Sequence, residues 1–365
     1  MRLILLTGAL ACAAACAHST AAPLAAGWTV YTDVSVWQAS DAVPISQIED
    51  EWTAYSPRNG RNTALMRNRV AAGVEKNGWR LGLELRQDAW LATDRASLDA
   101  YHMYQQKRNP VPPASLALQG RYFSWQAQGL RIGYTVEGPR IAGRASSIEM
   151  SGAAYGRQRL RERSFGGTLN YPQADTYGFA ASHIDANSRM IYPFMGEAPR
   201  ASGAGLSLAA TVPLAEAWTL RVQADDVASR LRWKNLPVNT ESLRSDVRSY
   251  DENGYVNYQP LLSGRKRQLE RSFRIPRYTA AALDYRFQAW GAGVQVARYG
   301  GETIPTLSVS RGFGWLTVQA NVETRFDSAG LGLEAGNFRF LLQSDSFRLD
   351  EAKARSLQLH YHVNF

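Results

Sequence analysis

The chain alternates between apolar and polar residues. At its end Leu357, Leu359, Tyr361, Val363 and Phe365 interleave with Ser356, Gln358, His360, His362 and Asn364. The same period of two runs through Trp79–Leu85, Leu130–Val136, Trp218–Val222, Leu283–Phe287 and Leu316–Val322. Successive side chains of a strand point to opposite faces, so each segment predicts a β-strand with one apolar and one polar face. Read this way, the chain holds sixteen strands: 27–38, 63–75, 79–92, 115–127, 130–138, 164–171, 176–186, 202–212, 217–234, 277–287, 291–299, 304–312, 315–325, 328–335, 337–349 and 356–365.

Two architectures fit such strands. A soluble sandwich buries the apolar face, whereas a transmembrane barrel turns it to lipid. The connections favour the barrel. Tight turns are expected at Lys76-Asn77-Gly78, Gln128-Gly129, Pro172 to Asp175, Pro213 to Ala217, Ala289-Trp290, Phe313-Gly314 and Gly336. They alternate with the long segments 39–62, 93–114, 139–163, 187–201 and 235–276. Short turns on one side and long loops on the other are the pattern of outer-membrane barrels. Backbone groups in hydrocarbon all need partners, so such a sheet must close. Trp28, Trp79, Trp218, Trp290, Trp315, Tyr361 and Phe365 fall near strand ends, where interfacial aromatic girdles sit.

Composition narrows the class. Of 365 residues, 45% are hydrophobic and 11% aromatic, too many for a disordered chain. Residues 1–22 read as a cleavable signal peptide: Met1-Arg2, an apolar stretch from Leu3 to Ala15, then small residues, with lipidation at Cys16 or Cys12 as the alternative. The two cysteines lie within this segment, which leaves 23–365 as one cysteine-free barrel domain.

The terminal Leu359-x-Tyr361-x-Val363-x-Phe365 resembles the signal that the barrel-assembly machinery reads on bacterial outer-membrane β-barrel proteins. In scale the chain is similar to general porins and to exopolysaccharide-export barrels, with no specific family matched. The resemblance implies insertion by that machinery into a Gram-negative outer membrane, contact with its lipid and lipopolysaccharide, and, for an exporter, periplasmic partners.

The net charge is +9. Alternation places Arg67, Arg69, Arg80, Arg86, Arg121 and Arg131 on one wall of the lumen, either as a basic ladder for anionic solutes or as partners of lumen acids. A second basic group is expected in loops at the mouth: Arg157, Arg159, Arg161 and Arg163, then Arg265, Lys266 and Arg267. It could meet lipopolysaccharide phosphates or steer anions. The segment 235–276 is expected to carry an extra hairpin around Asp251-Glu252-Asn253-Gly254 and to fold into the mouth as a constriction.

Catalytic patterns are thin. His183-x-Asp185 with Asp225 and Asp226 could activate a water, and His360 with His362 could share a metal, although no third ligand is evident. No Gly-x-Ser-x-Gly or phosphate loop occurs, and no cofactor, metal or nucleic-acid partner is expected. The expectation is a channel, porin-like or an export conduit, for polar or anionic solutes or polymers. The rivals are a barrel hydrolase acting on peptide or lipid, and a structural or adhesive barrel with a plugged lumen.

Overall fold

In the computed structural model, residues 27–173, 176–245, 248–250, 252, 256–258 and 260–365 are described. The expected signal peptide lies outside them, as does most of the expected turn at 251–254.

The fold is a closed antiparallel barrel. It begins with β1 (Thr29–Ser40), β2 (Arg61–Lys76) and β3 (Trp79–Asp94), followed by a short helix α1 (Arg95–Gln105). Two long strands come next, β4 (Ala114–Ile141) and β5 (Arg144–Gln173), then β6 (Thr176–Asn187), β7 (Arg200–Pro213) and a third long strand, β8 (Trp218–Arg244). A small hairpin, β9 (Arg248–Tyr250) with β10 (Val256–Tyr258), precedes β11 (Leu262–Phe273) and β12 (Tyr278–Phe287). Six shorter strands complete the wall: β13 (Trp290–Tyr299), β14 (Glu302–Phe313), β15 (Leu316–Glu323), β16 (Ser328–Ala335), β17 (Phe338–Ser344) and β18 (Ala354–Asn364). β18 pairs with β1 from Thr29↔Asn364 to Ala39↔Ala354, so the sheet has no edge along the bilayer.

The sheet holds sixteen strands, the number expected, but they stand in fourteen columns because two of the columns are broken strands. β6 pairs with the upper part of β5 and β7 with the lower part, both antiparallel, and both also pair with β8. They run in one direction, end to end, interrupted by 188–199. β11 and β12 likewise share the other side of β8.

Three expectations are corrected. Gln128-Gly129 is no turn: β4 runs through it, and the only local irregularity is a register shift at Ala127/Gly129 against β5. Segment 139–163 is no loop but mostly the lower part of β5, reached through a tight turn at Ala142-Gly143, both at positive φ. Much of 235–276 is also wall, as the top of β8 and as β11. The expected extra hairpin is present as β9–β10, flanking 251–254.

Among the described residues most tight turns lie at the end that holds Thr29 and Asn364, although the two-residue turn Gly300-Gly301 lies at the opposite rim. Asn77 (φ 49°) and Gly78 (φ 82°) make one of them; both central residues are left-handed, the geometry that lets a two-residue hairpin match strand twist. Between the turns and the opposite rim, the outward face is an apolar belt. Leu81, Leu83, Leu130, Ile132, Met150, Val222, Val294, Leu307 and Leu331 all lie open on it, as lipid-facing side chains must. At the turn end it meets aromatics: Trp79 packs on Tyr134 and Trp218 on Tyr285, each with ring centroids 4.7 Å apart. Lys76 and Arg311 lay their cationic heads over Trp28 and Trp290, the posture of interfacial side chains.

Candidate functional site

The interior is the candidate site, and it is stratified. The level nearest the turns is a polar vestibule. Arg80 Nη2 lies 3.0 Å from Asp33 and its Nε 2.6 Å from Glu75; Asp33 also meets His360 Nδ1 at 2.5 Å. Arg221 bonds Asp284 through two nitrogens, at 2.6 and 2.8 Å, and Arg339 bonds Glu334 at 2.7 Å. Most of these groups keep partial access to water.

At mid-height the charges are largely enclosed and cross the lumen. Arg67 and Arg69 of β2 both reach Asp225 of β8, and Arg69 Nε also lies 3.0 Å from Glu84. Arg86 of β3 pairs with Asp88 and, at 2.6 Å, with Asp226 of β8. Arg131 stands 3.7 Å from Glu84. Tyr299 of β13 donates to Asp88 at 3.0 Å. The side chains of Arg86, Asp88, Glu84 and Asp226 are all at or below 1% exposed. Buried charges persist only when paired, and here every arginine faces an acid.

Above the charges lies an apolar stratum. Phe123 and Trp125 of β4, Leu160 of β5, Leu231, Trp233, Leu236 and Val238 of β8, and Ile275 form one buried cluster. Leu65, Tyr299, Ile304 and Phe326 form a second against the shorter strands, with Trp37 edge-on to Tyr299 and Phe326. Trp125 is sealed by the Tyr155 ring at 4.9 Å, and its indole N–H donates to Gln158. Among the described residues no separate domain fills the lumen. The plug is the inner face of the wall itself.

A clasp closes the far rim. Asp41 accepts from both terminal nitrogens of Arg325 (2.7 and 2.9 Å) and from the Thr63 backbone N–H (2.8 Å), while Arg325 Nε donates to Glu302 at 2.9 Å. Burial alone would raise the Asp41 carboxyl. Hydrogen bonds from Arg325 and Thr63 outweigh it and hold the group below the ordinary carboxylate range.

The predicted site residues sort as follows. Arg67, Arg69, Arg80, Arg86 and Arg131 do converge inside, but as halves of ion pairs rather than as a bare basic wall. Arg121, on the inward phase of β4, is exposed at the height of the upper wall. Arg157, Arg159, Arg161 and Arg163 are not in a loop: they stand on the outward face of β5, and Arg161 and Arg163 both hold Asp185, each at 2.8 Å. Arg265, Lys266 and Arg267 lie on β11, high on the wall. Leu359, Tyr361 and Val363 face outward on β18, and Phe365 is exposed beyond it. His183 faces outward toward Glu241 while Asp225 and Asp226 face the lumen, so the proposed water-activating set is not assembled. Among the described residues no group of three or more possible metal ligands gathers around His360 and His362.

The apolar stratum was missed from the sequence. Its signal is an inversion of phase: along β4, residues 130–136 are apolar outward, whereas at 123–127 the apolar residues point inward.

No family model matches the chain, and no curated protein does. Solved structures with a similar course include a deletion variant of the monoaromatic hydrocarbon channel TodX (12% identity, 93% of this chain and 91% of that chain, TM-score 0.46). The Pseudomonas putida toluene transporter TodX follows at 10%, 93%, 88% and 0.39. The Ralstonia pickettii toluene transporter TbuX gives 10%, 94%, 90% and 0.28. The fold is that of bacterial outer-membrane β-barrels. It is established by the strand register, the closure and the apolar belt of this chain; likenesses so distant assign no solute.

Proposed function

We propose that the protein is an outer-membrane channel that rests closed and passes small hydrophobic solutes. The observation that carries this reading is the apolar stratum of Trp125, Leu160, Leu231, Trp233 and Leu236 across the lumen. A path for anions would need a desolvated ion to cross that layer, at a large cost. The arginines that suggested anion transport are neutralised by Asp225, Asp226, Asp88 and Glu84. An apolar solute, in contrast, exchanges places with side chains of its own kind. The plug belongs to the wall strands, so opening requires side-chain and strand shifts rather than release of a separate domain. Tests in reconstituted vesicles and planar bilayers separate the readings. Accelerated entry of a small monocyclic aromatic hydrocarbon, without steady ionic conductance, supports the proposal. Stable anion-selective steps would overturn it in favour of a polar channel. Silence in both assays would favour a plugged structural barrel, the second reading that the filled interior allows.

A further inference from the structure

The outward face changes character at the upper edge of the apolar belt, and it does so unevenly around the barrel. On β1, β2 and β3 polar outward residues at this level are Gln38, Asn68 and Gln87, and on β14 and β17 Thr303 and Ser344, with single cations between them, Arg298 on β13 and Arg355 on β18, the latter donating to Gln38. On β5 and β8 cations stand in runs of two and three. Arg157 and Arg159 stand exposed on β5, beside Gln126 and Gln128 of β4. Arg230, Arg232 and Lys234 stand exposed on β8, paired in register with Ala204, Ser202 and Arg200 of β7. Tilted strands make a horizontal rim step across the pairing rows, and these positions follow that step.

The neighbouring acids are already engaged. Asp185 is held by Arg161 and Arg163, Glu197 by Arg200 and Glu270 by Arg232. Among the described residues Arg157, Arg159 and Arg230 have no acidic partner. Side chains two apart on one strand face are separated by about 7 Å, and one intervening column separates β5 from β8 by about 10 Å. Three uncompensated guanidinium groups thus share one patch at the level where headgroups begin. Guanidinium forks match phosphate oxygens bidentately and are weakly hydrated, which suits a half-buried interface.

We propose that this patch is a binding site for the phosphate groups of lipopolysaccharide in the outer leaflet, held by Arg157, Arg159 and Arg230. The excursion 188–199 adds apolar and aromatic surface just above. Its end is tied to the outer wall by Asn235 Nδ2 and Gln268 Nε2, both donating to Glu197. It leaves Ile191 87% and Phe194 59% exposed. Such surface suits the sugar faces that continue upward from the phosphates. The inference does not depend on what crosses the lumen.

The test uses the full barrel in neutral-detergent micelles, titrated with lipid A bearing both phosphates and with the same lipid A stripped of phosphate. Binding of the phosphorylated form, at least tenfold weaker for the stripped form on the wild-type barrel, is expected. Arg157→Gln/Arg159→Gln/Arg230→Gln should weaken binding at least tenfold. Arg265→Gln/Lys266→Gln/Arg267→Gln removes equal charge higher on the wall and should change it less than twofold. Millimolar inorganic phosphate should not displace the lipid, and cardiolipin should bind more weakly than lipid A. Equal binding of the stripped lipid, equal loss in the two triple variants, displacement by free phosphate, or equal affinity for cardiolipin would each overturn the proposal.

Discussion

The two sides of the barrel are built differently. From β13 to β18 the strands have 7 to 12 residues and stop close to the edge of the lipid-facing belt. On the opposite side β4, β5 and β8 have 28, 30 and 27 residues and rise beyond it. On the short side apolar-out, polar-in holds along the belt and gives way only at the rim, where Tyr299 and Ile304 turn inward and Arg298 outward. On the tall side the rule holds in the lower half and reverses above it. There Arg159, Arg161, Arg230 and Arg232 point to water, while Trp125, Leu160, Leu231 and Trp233 point into the lumen. The reversal follows from the solvent. Lipid wets the lower outer face and water wets the upper one, so the apolar residues of a continuous strand must change sides where the bilayer ends. Register shifts sit at the change, at Ala127/Gly129 between β4 and β5 and at Leu206/Leu208 between β7 and β8.

The largest effects should come from the buried charges that join the two sides of the lumen. Asp225→Ala leaves Arg67 and Arg69 facing each other without their shared acid. A buried charge stripped of its partner costs about 3–5 kcal/mol, so urea unfolding in lipid vesicles should show a loss of that order. A loss below ~1 kcal/mol would mean that water already reaches the centre.

Next come substitutions that read the two faces. Leu83→Arg, on β3 beside the tall side, and Leu331→Arg, on the short side, both place a charge in the belt and should cost about 2–4 kcal/mol. Arg159→Leu, on the upper outer face, should change stability by less than about 0.5 kcal/mol, as exposed sites do. Trp233→Ala, one position away from an outward residue but inward, should cost about 3–5 kcal/mol through lost packing and should also raise ionic leakage. A gain in stability from Arg159→Leu comparable to the loss from Leu83→Arg would show that the bilayer extends higher than the belt.

A smaller effect concerns acid. The Asp41 carboxyl is held below its unfolded value by Arg325 and Thr63. Its contribution is therefore complete above the ordinary carboxylate pKa and falls away as pH drops through the lowered folded value. The rim clasp should loosen only in strongly acidic solution, and Asp41→Asn should remove that pH dependence in thermal unfolding while leaving the lower barrel intact.

The short side was legible in the sequence because its strands end where their environment changes. Strands 291–299, 304–312 and 328–335 were expected within a residue or two of β13, β14 and β16. Lumen phase was legible too, for Arg67, Arg69, Arg80, Arg86 and Arg131. The tall side was not. The phase change at 128–129 looks like a turn, and Arg157 to Arg163 look like a loop because arginines do not belong on a lipid-facing stripe. The ion-pair partners were invisible for another reason: Arg67 and Asp225 lie 158 residues apart, and only closure brings them together.

Surface labelling tests the reversal most directly. The only cysteines, Cys12 and Cys16, precede the barrel, so single cysteines can be placed in it against a clean background once those two are removed. Cysteines at positions 159, 160, 230 and 231 of β5 and β8 are exposed, on the purified barrel in neutral-detergent micelles free of lipopolysaccharide, to a charged, water-soluble maleimide. Labelling at 159 and 230 with little or none at 160 and 231 is expected, since the first pair faces water and the second lies in the plug. Equal labelling of all four would contradict the apolar plug, and labelling confined to 160 and 231 would contradict the reversal itself.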